Sequence, residues 1–283
     1  MVRRCHPSFV ADREEHANIL NRPPELATQF DRVADDYDAR PGYPDWVFER
    51  LVERCGLGPG VNVVEIGAGT GQATLPMLDR GARVTAVEPG PALARRLAER
   101  AAGAIEVIVA RFEDVELPEA AFDLAASATA FHWVDTTAGL TNCARALRDD
   151  GWLALWWTIW GDPDRPDPFH EALQPVLRVK APHLLDPGAG PRAYGLDLAA
   201  RMAEIDRIGS LGPVEQEFLR WEGQHDPPSL RRMFATFAAW IALPEPTRTE
   251  LLDEVERLAR DEFAGMVERP YQTHLYLAQR LPR

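Results

Sequence analysis

Short apolar runs alternate with segments of helical periodicity over the first half of the chain. The runs at residues 61–66, 84–87, 105–109, 122–126 and 152–159 each have the length of one buried strand. Helical patterns lie between them, at residues 72–80, 91–102 and 136–148. Strands and helices that alternate in this way form right-handed βαβ units in a mostly parallel sheet that is covered on both faces.

Both flanks of this alternation carry other patterns. Residues 26–40 and 46–55 have helical spacing, with a break at residues 41–44 between them. After residue 160, Pro-, Gly- and Asp-rich stretches surround one helical segment at residues 169–179. Two further strands are predicted at residues 215–221 and 271–278, and two helices at residues 228–242 and 249–266. The pattern therefore predicts a doubly wound α/β fold around a mostly parallel seven-stranded sheet.

These patterns divide the chain into five regions. They are a flexible arm (1–25), a helical cap (26–60), an α/β core (61–160), an inserted lid (161–224) and a C-terminal segment of helices with a closing strand (225–283). Ligands of open α/β sheets bind at the carboxyl ends of the strands. We expect the lid to cover that edge and to contact the substrate.

Composition excludes several classes of protein. The 283 residues carry a net charge of −13, so neither nucleic acid nor an anionic membrane is expected as a partner. Cys5, Cys55 and Cys143 are widely spaced and form no CxxC pair, which predicts neither a zinc site nor a disulfide framework. The basic N-terminus has no apolar stretch of the secretory kind, and the most apolar run, residues 152–160, is too short to span a bilayer. We expect a cytoplasmic protein.

A glycine-rich loop directly after the first core strand is the strongest chemical signal. Gly67, Gly69 and Gly71 allow the backbone to turn sharply and to approach a ligand without interference from a Cβ atom. Gln72 stands where a dinucleotide-binding GxGxxG fingerprint has its third glycine, so that pattern is not met. A GxGxG loop after an acidic residue suits a nucleoside that carries an amino-acid tail.

Two acidic side chains follow the next two strands. Glu88 ends the second strand, where a carboxylate can accept both hydroxyls of a ribose. Asp114 follows the third strand, where it can meet an exocyclic amine, and the adjacent Phe112 can pack on a purine face. Alone, either acid reads as a solvated loop residue or a helix cap. Together with the glycine loop they predict a nucleoside site.

The sequence resembles the class I S-adenosylmethionine (SAM)-dependent methyltransferases, in particular the small-molecule branch that includes trans-aconitate and ubiquinone-pathway enzymes. The core segments that carry the resemblance are VVEIGAGTGQAT (63–74), VTAVEPG (84–90), ARFEDVELPEAAFDLAASATAFHWVD (110–135) and GWLALWW (151–157). Residues 30–44 are similar to the branch's N-terminal cap, and residues 271–280 to its closing strand. The resemblance implies a Rossmann-like methyltransferase fold, SAM as the cofactor and a small-molecule substrate.

It also implies individual roles for residues of the predicted site. Those expected around the methionine end of SAM are Glu65, Gly67, Gly69 and Gln72. Tyr37 and Arg40 of the cap are expected to close over this end, with Arg40 pairing with the carboxylate of the methionine. Glu88 is expected at the ribose, and Phe112, Glu113 and Asp114 at the adenine. Ala130 and Phe131 are expected to line the cofactor and to open towards the substrate; Ala68 and Pro89 complete the cofactor-contacting set. Pro76 is expected to kink the helix after the loop without disturbing the site.

Catalysis needs little beyond orientation, because the methyl group of SAM is already activated. An acceptor with a high pKa also needs a base, whereas a carboxylate does not. His132 follows the fourth strand and is the candidate base or substrate contact; the alternative is that it caps the next helix or orders the loop. No metal is expected. His170, His183 and His225 are expected at the surface.

We therefore expect a SAM-dependent methyltransferase that acts on a small, acidic or partly aromatic metabolite, with transfer to oxygen favoured. Two alternatives stay open at this point: a SAM-binding enzyme that catalyses a non-methylating rearrangement or cyclisation, and a non-enzymatic methyltransferase-like scaffold. The intact loop and its acids disfavour the scaffold. A homodimer is also left open, since Phe234, Phe237 and Trp240 have the helical spacing of a core or an interface.

Overall fold

The computed structural model describes residues 29–185 and 192–282. The predicted arm (1–25), the start of the predicted cap helix (residues 26–28) and residues 186–191 of the predicted lid lie outside the described residues. No helix in the described ranges is both long and apolar enough to cross a membrane.

Within those ranges one sheet contains seven strands in the order β3-β2-β1-β4-β5-β7-β6. The strands are β1 (Asn62–Ile66), β2 (Arg83–Val87), β3 (Glu106–Ile108), β4 (Phe122–Ala128), β5 (Leu147–Ile159), β6 (Glu215–His225) and β7 (Val267–Gln279). The first five are parallel, and β7 is antiparallel to both β5 and β6. The predicted doubly wound, mostly parallel sheet of seven strands is confirmed.

Helices cover both faces of the sheet. They are α1 (Ala34–Tyr37), α2 (Asp45–Cys55), α3 (Thr74–Asp79), α4 (Pro91–Arg100), α5 (Thr136–Ala146), α6 (Pro168–Lys180), α7 (Arg192–Leu196), α8 (Leu198–Asp206), α9 (Pro227–Ala235), α10 (Ala238–Ile241) and α11 (Glu245–Asp261). Short 3₁₀ turns lie at Gln29–Val33, Phe112–Asp114, Phe131–Trp133 and Pro182–Leu185.

A side chain that competes with helical hydrogen bonds explains where one prediction fails. The predicted helix 228–242 is divided into α9 and α10, because the Thr236 hydroxyl donates to the Met233 carbonyl at 2.6 Å and ends α9 there. Pro76 lies in the first turn of α3, between Leu75 and Met77, whose N–H groups bond the carbonyls of Gly71 and Ala73. Proline removes one bond of this series, and the expected kink stays a prediction.

The predicted lid does not form one unit. Its first helix, α6, buries Phe169, Leu173 and Leu177 in an apolar cluster with α9 and α11, beyond the edge of the sheet. Tyr194 and Ile205, on α7 and α8, instead join the core against one face of the sheet. The proline-rich composition of this region concealed two helices, and the apolar faces of its helices point in different directions.

Candidate active site

The glycine loop follows β1 at the carboxyl edge of the sheet. Gly67, Gly69 and Gly71 have φ values of 69°, 58° and 98°, a region that favours glycine. A Cβ atom on residue 67 would lie 2.4 Å from Cβ of Ala130, and one on residue 71 would lie 2.7 Å from Cδ1 of Leu97. Glycine is therefore required here both for backbone conformation and for close packing.

Two adjoining compartments of a cleft surround this loop. The first compartment, of about 600 Å³ including space open to solvent, lies between the loop and the ends of β2 and β4. The second compartment, of about 370 Å³, lies between the loop, the cap and Trp160. Tyr37, Gly67 and Gly69 line both. The cleft thus has one region for each end of an elongated ligand.

Most of the predicted cofactor contacts come together around these compartments. The first is lined by Glu88, Pro89, Phe112, Glu113 and Ala130, in addition to the three shared residues. The second is lined by Arg40, Glu65, Ala68 and Gln72. Two predicted contacts, Asp114 and Phe131, do not line either compartment in the described part of the chain. Asp114 is exposed, and the Phe131 ring is buried in the core. The individual roles remain predictions.

Glu88 holds the glycine loop and faces the first compartment. Its two carboxylate oxygens accept hydrogen bonds from the N–H groups of Gly69 (2.8 Å) and Gly90 (2.9 Å). Burial raises the pKa of Glu88 to about 7, although both backbone bonds oppose the shift. Because a carboxylate has about four acceptor positions, Glu88 keeps capacity for ligand hydroxyls.

The carboxylate of Glu65 is buried at the second compartment, and only one of its two oxygens has a hydrogen-bond partner among the described residues. Its Oε2 accepts a hydrogen bond from the Thr74 hydroxyl at 2.5 Å, whereas no group among the described residues bonds its buried Oε1. Burial raises the pKa of Glu65 to about 8, and the nearby Glu88 adds to the shift. A buried acceptor without a partner is costly, so this site favours a ligand that brings a donor, above all a cation.

Arg40 connects the cap to the C-terminal helices beside the second compartment. Its guanidinium lies 4.5 Å from the centre of the Tyr37 ring, and Nη1 donates to the Tyr37 hydroxyl at 3.1 Å. Its Nε donates to Thr236 Oγ1 at 2.8 Å and its Nη2 to the Thr236 carbonyl at 2.6 Å. Arg40 therefore joins the cap, which lines the cleft, to the segment that begins at residue 236. No described residue of the predicted lid lines the cleft.

Sequence reasoning missed several lining residues because they follow no motif. Arg111 donates to Glu113 Oε1 at 2.9 Å, and the same oxygen accepts the Asp135 N–H at 3.0 Å, so a small polar network borders the first compartment. Tyr43 lines the second compartment, and the break at residues 41–44 was its only signal. Trp160, at the end of the last apolar run, lines the same compartment; from the sequence alone it fits a pocket wall and a sheet core equally well.

His132 does not line either compartment among the described residues. It is buried, and its Nδ1 accepts a hydrogen bond from Trp157 Nε1 at 3.1 Å. Its ring also packs against Trp133 and Tyr194. The geometry favours the alternative in which His132 orders the loop after β4, rather than acting as a base.

One other histidine also differs from expectation. His225 is buried and its Nε2 lies 2.7 Å from the Tyr271 hydroxyl, so the predicted surface position is wrong. Burial lowers the pKa of His225 to about 4. Phe234 and Trp240 belong to the apolar cluster of α6, α9 and α11, which gives them the core position that their spacing allowed.

Comparisons with known proteins agree with this geometry. Residues 64–155 match the protein family described as "Methyltransferase domain". An uncharacterized methyltransferase of Mycobacterium tuberculosis is 25% identical over 239 residues, which make up 83% of this chain and 86% of the relative. A malonyl-[acyl-carrier protein] O-methyltransferase of Serratia marcescens is 33% identical over 136 residues, 48% of this chain and 53% of the relative.

A solved structure supports the fold. The structure from Anaeromyxobacter dehalogenans described as a type II methyltransferase superposes with a TM-score of 0.59 at 24% identity, over 86% of this chain and 99% of the other. The family match begins within β1 and ends within β5, so it contains the glycine loop, Glu88 and Glu113. Residues 64–155 are thus similar to a methyltransferase domain, and the cap and Thr236 lie outside this match.

Proposed function

We propose that this chain, which is a class I SAM-dependent methyltransferase, transfers the methyl group to an oxygen atom of a small metabolite, with a carboxylate as the acceptor. The choice of acceptor rests on one observation. In the part of the chain that the structure describes, neither compartment is lined by a histidine, lysine or cysteine, and the two lining carboxyls with a raised pKa, Glu65 and Glu88, are the ones assigned to holding SAM. An acceptor that is already ionised at neutral pH needs no base, and a carboxylate is such an acceptor.

The residues of the cleft fit SAM. The unpartnered Glu65 Oε1 suits the ammonium group of the methionine end, and the Arg40 guanidinium suits its carboxylate. Glu88 suits the ribose hydroxyls, and Phe112 and Glu113 border the space for the adenine. SAM, when bound, supplies an activated methyl group. The task of the chain is then to orient donor and acceptor and to exclude water, which contributes on the order of 7–11 kcal/mol in well-oriented reactions.

The cover of the cleft supports a small acceptor. The two compartments lie between the glycine loop, the cap and the ends of β2 and β4, so the ligand space is partly enclosed. Tyr43 and Trp160 supply aromatic walls of the second compartment and do not line the first. The relative from Serratia marcescens, which is named an O-methyltransferase and aligns with about half of this chain, favours transfer to oxygen.

The test is a transfer assay with SAM that carries tritium in its methyl group. The purified protein is incubated with separate panels of small carboxylic acids, phenols and amines. Methyl esters release labelled methanol in mild base, whereas ethers and N-methyl products do not. We expect base-labile label on members of the carboxylic acid panel. Base-stable label on a phenol or an amine would overturn the choice of acceptor, and consumption of SAM without transfer of label would favour the rearrangement alternative.

A further inference from the structure

We propose that Thr236, at the C-terminal end of α9, is a positioning residue of the cofactor site that acts through Arg40 and Tyr37. The inference rests on the proposed binding of SAM in the two compartments. Thr236 lies outside the methyltransferase domain match and does not itself line either compartment among the described residues. Its effect on the site is therefore indirect.

Thr236 presents two acceptors to one guanidinium. Its hydroxyl oxygen accepts from Arg40 Nε at 2.8 Å and its carbonyl oxygen from Arg40 Nη2 at 2.6 Å. The residue is fully buried, and its hydroxyl hydrogen is directed to the Met233 carbonyl at 2.6 Å. This leaves the hydroxyl lone pairs for Arg40. Thr236 also follows the last residue of α9, where the helix dipole stabilises a cation.

The same guanidinium fixes a side chain that touches the ligand space. Arg40 Nη1 donates to the Tyr37 hydroxyl at 3.1 Å, and Tyr37 lines both compartments. The Tyr37 carbonyl in turn accepts from Gln72 Nε2 at 3.2 Å, and a Cβ atom on residue 69 would lie 3.2 Å from the Tyr37 ring. Contacts therefore run without a gap from Thr236 through Arg40 and Tyr37 to the glycine loop.

Apolar contacts next to Thr236 also join the cap to α10. Phe30 and Ala34 of the cap form a cluster with Leu93, and Ala238 and Ile241 of α10 pack against it. The segment after Thr236 thus covers the cap. The hydrogen bonds that Arg40 donates to Thr236 hold Arg40 in place before a ligand arrives, so the ligand does not have to order this long side chain itself.

The position of Arg40 determines which part of the ligand should depend on Thr236. Arg40 lines the second compartment only, the one that suits the amino-acid end of SAM. A positioning role therefore predicts weaker binding of ligands that carry an amino-acid end and unchanged binding of ligands that lack it. A merely structural role of Thr236 predicts an equal loss for both kinds of ligand, or none.

The experiment compares two ligands on matched variants. Thr236→Val removes the hydroxyl at nearly constant volume, and Thr236→Ser keeps it. Calorimetry measures the affinities for S-adenosylhomocysteine and for 5′-methylthioadenosine, which has no amino-acid end. We expect Thr236→Val to weaken S-adenosylhomocysteine binding by roughly five- to tenfold, because only part of the free energy of its hydrogen bond to the charged Arg40 reaches the ligand. Binding of 5′-methylthioadenosine should not change, and Thr236→Ser should resemble the wild type for both ligands.

Two outcomes would overturn the proposal: unchanged S-adenosylhomocysteine affinity in Thr236→Val, or an equal loss for both ligands. If Thr236→Val does not fold, as shown by thermal unfolding, Arg40→Lys takes its place. This variant keeps the charge but cannot bond two acceptors as a fork, and the same difference between ligands is expected. Failure of the wild type to bind S-adenosylhomocysteine would instead refute the proposed function, so the two failures are distinguishable.

Discussion

The two halves of the sheet bring residues to the cleft in different ways. In the parallel half, candidate contacts lie at or just beyond the ends of successive strands: Glu65 on β1, Glu88 after β2, Glu113 after β3 and Ala130 after β4. In the antiparallel half, β7 and β6 support α6, α9 and α11, and Thr236 reaches the cleft only through Arg40. Topology places the first set, whereas tertiary packing places the second.

This difference has a physical cause. Parallel strands joined by right-handed crossovers all end at the same edge, so position along the sequence is enough to place a residue at the cleft. Antiparallel strands end at opposite edges, so their neighbours depend on how distant helices pack. Each prediction below tests one side of this contrast, from the largest expected effect to the smallest.

The largest effect on ligand binding is expected from a substitution at Gly67, the position of the parallel half where an added side chain has least room. In Gly67→Ala the new Cβ would overlap Cβ of Ala130 at 2.4 Å, and φ of 69° would be strained as well. We expect the affinity for S-adenosylhomocysteine to fall on the order of 100-fold, because the loop must move away from β4. Calorimetry on the purified variant measures it.

A matched glycine separates the two causes of this loss. Gly103 has φ of 76°, but a Cβ there would meet no heavy atom within 4 Å. Gly103→Ala should reduce stability slightly and leave binding intact. The double variant Gly67→Ala with Ala130→Gly should recover part of the affinity. Wild-type binding by Gly67→Ala alone would mean that the loop does not contact the ligand.

Glu88 and Asp114 give the second test, between two acids that the sequence treats alike. Glu88 is buried at the first compartment and holds Gly69, whereas Asp114 is exposed. We expect Glu88→Gln to weaken S-adenosylhomocysteine binding by roughly 10- to 100-fold and Asp114→Asn to leave it unchanged. An equal loss of affinity in both variants would support the predicted contact between Asp114 and the adenine.

The parallel half was the more predictable region for this reason. The strands, the glycine loop and Glu88 could be read from periodicity and spacing, because these features are local. Asp114 and Glu113 could not be told apart, since a 3₁₀ turn at Phe112–Asp114 decides which side chain faces the cleft. Sequence spacing does not show such a turn.

The C-terminal half was predictable only in its elements. Its strands and most of its helices were found, but the sequence did not show that apolar residues of α6 face α9 and α11 or that no described residue of the predicted lid lines the cleft. Thr236 ends a helix and carries no motif. Its contact with Arg40 joins residues 196 positions apart, which only the folded chain brings together.

The third prediction concerns pH and Glu65. The raised pKa of about 8 means that Glu65 is mostly protonated at pH 7 in the free protein. A ligand ammonium binds the ionised form, so S-adenosylhomocysteine affinity should rise with pH as Glu65 ionises, on the order of tenfold between pH 6.5 and about 8. Calorimetry as a function of pH measures the rise, to which Glu88, with a pKa of about 7, contributes at the lower end.

Glu65→Gln is the control for this rise. The variant should bind more weakly at pH 8 and lose the pH dependence above pH 7, while the part due to Glu88 remains. The stability of the free protein has the opposite dependence. Since burial raises both pKa values above 4.5, the two carboxyls stabilise the fold fully below that pH, and this contribution is lost as the pH rises through about 7 and about 8. An unchanged pH profile in Glu65→Gln would mean that Glu65 does not face the ligand's charge.

The smallest effect on turnover is expected at His132, which follows β4 but is buried against Trp157 of β5 and Tyr194 of α7. A catalytic base would contribute about 10²- to 10⁴-fold to the rate. We expect His132→Ala to turn over a carboxylate acceptor within about twofold of the wild-type rate, since ionised acceptors need no base. Its free energy of unfolding should fall by about 1–3 kcal/mol, because the buried Trp157 indole N–H loses its acceptor.

Trp157→Phe removes the donor of the same hydrogen bond and leaves the imidazole in place. If His132 only orders the loop, both variants should unfold at lower temperature, and the double variant should lose less stability than the sum of the two, as coupled partners do. Both should transfer the methyl group at wild-type rates. If turnover instead falls by about 100-fold or more in His132→Ala and not in Trp157→Phe, His132 is the base. The position of His132 directly after β4 would then indicate function despite the burial of its side chain.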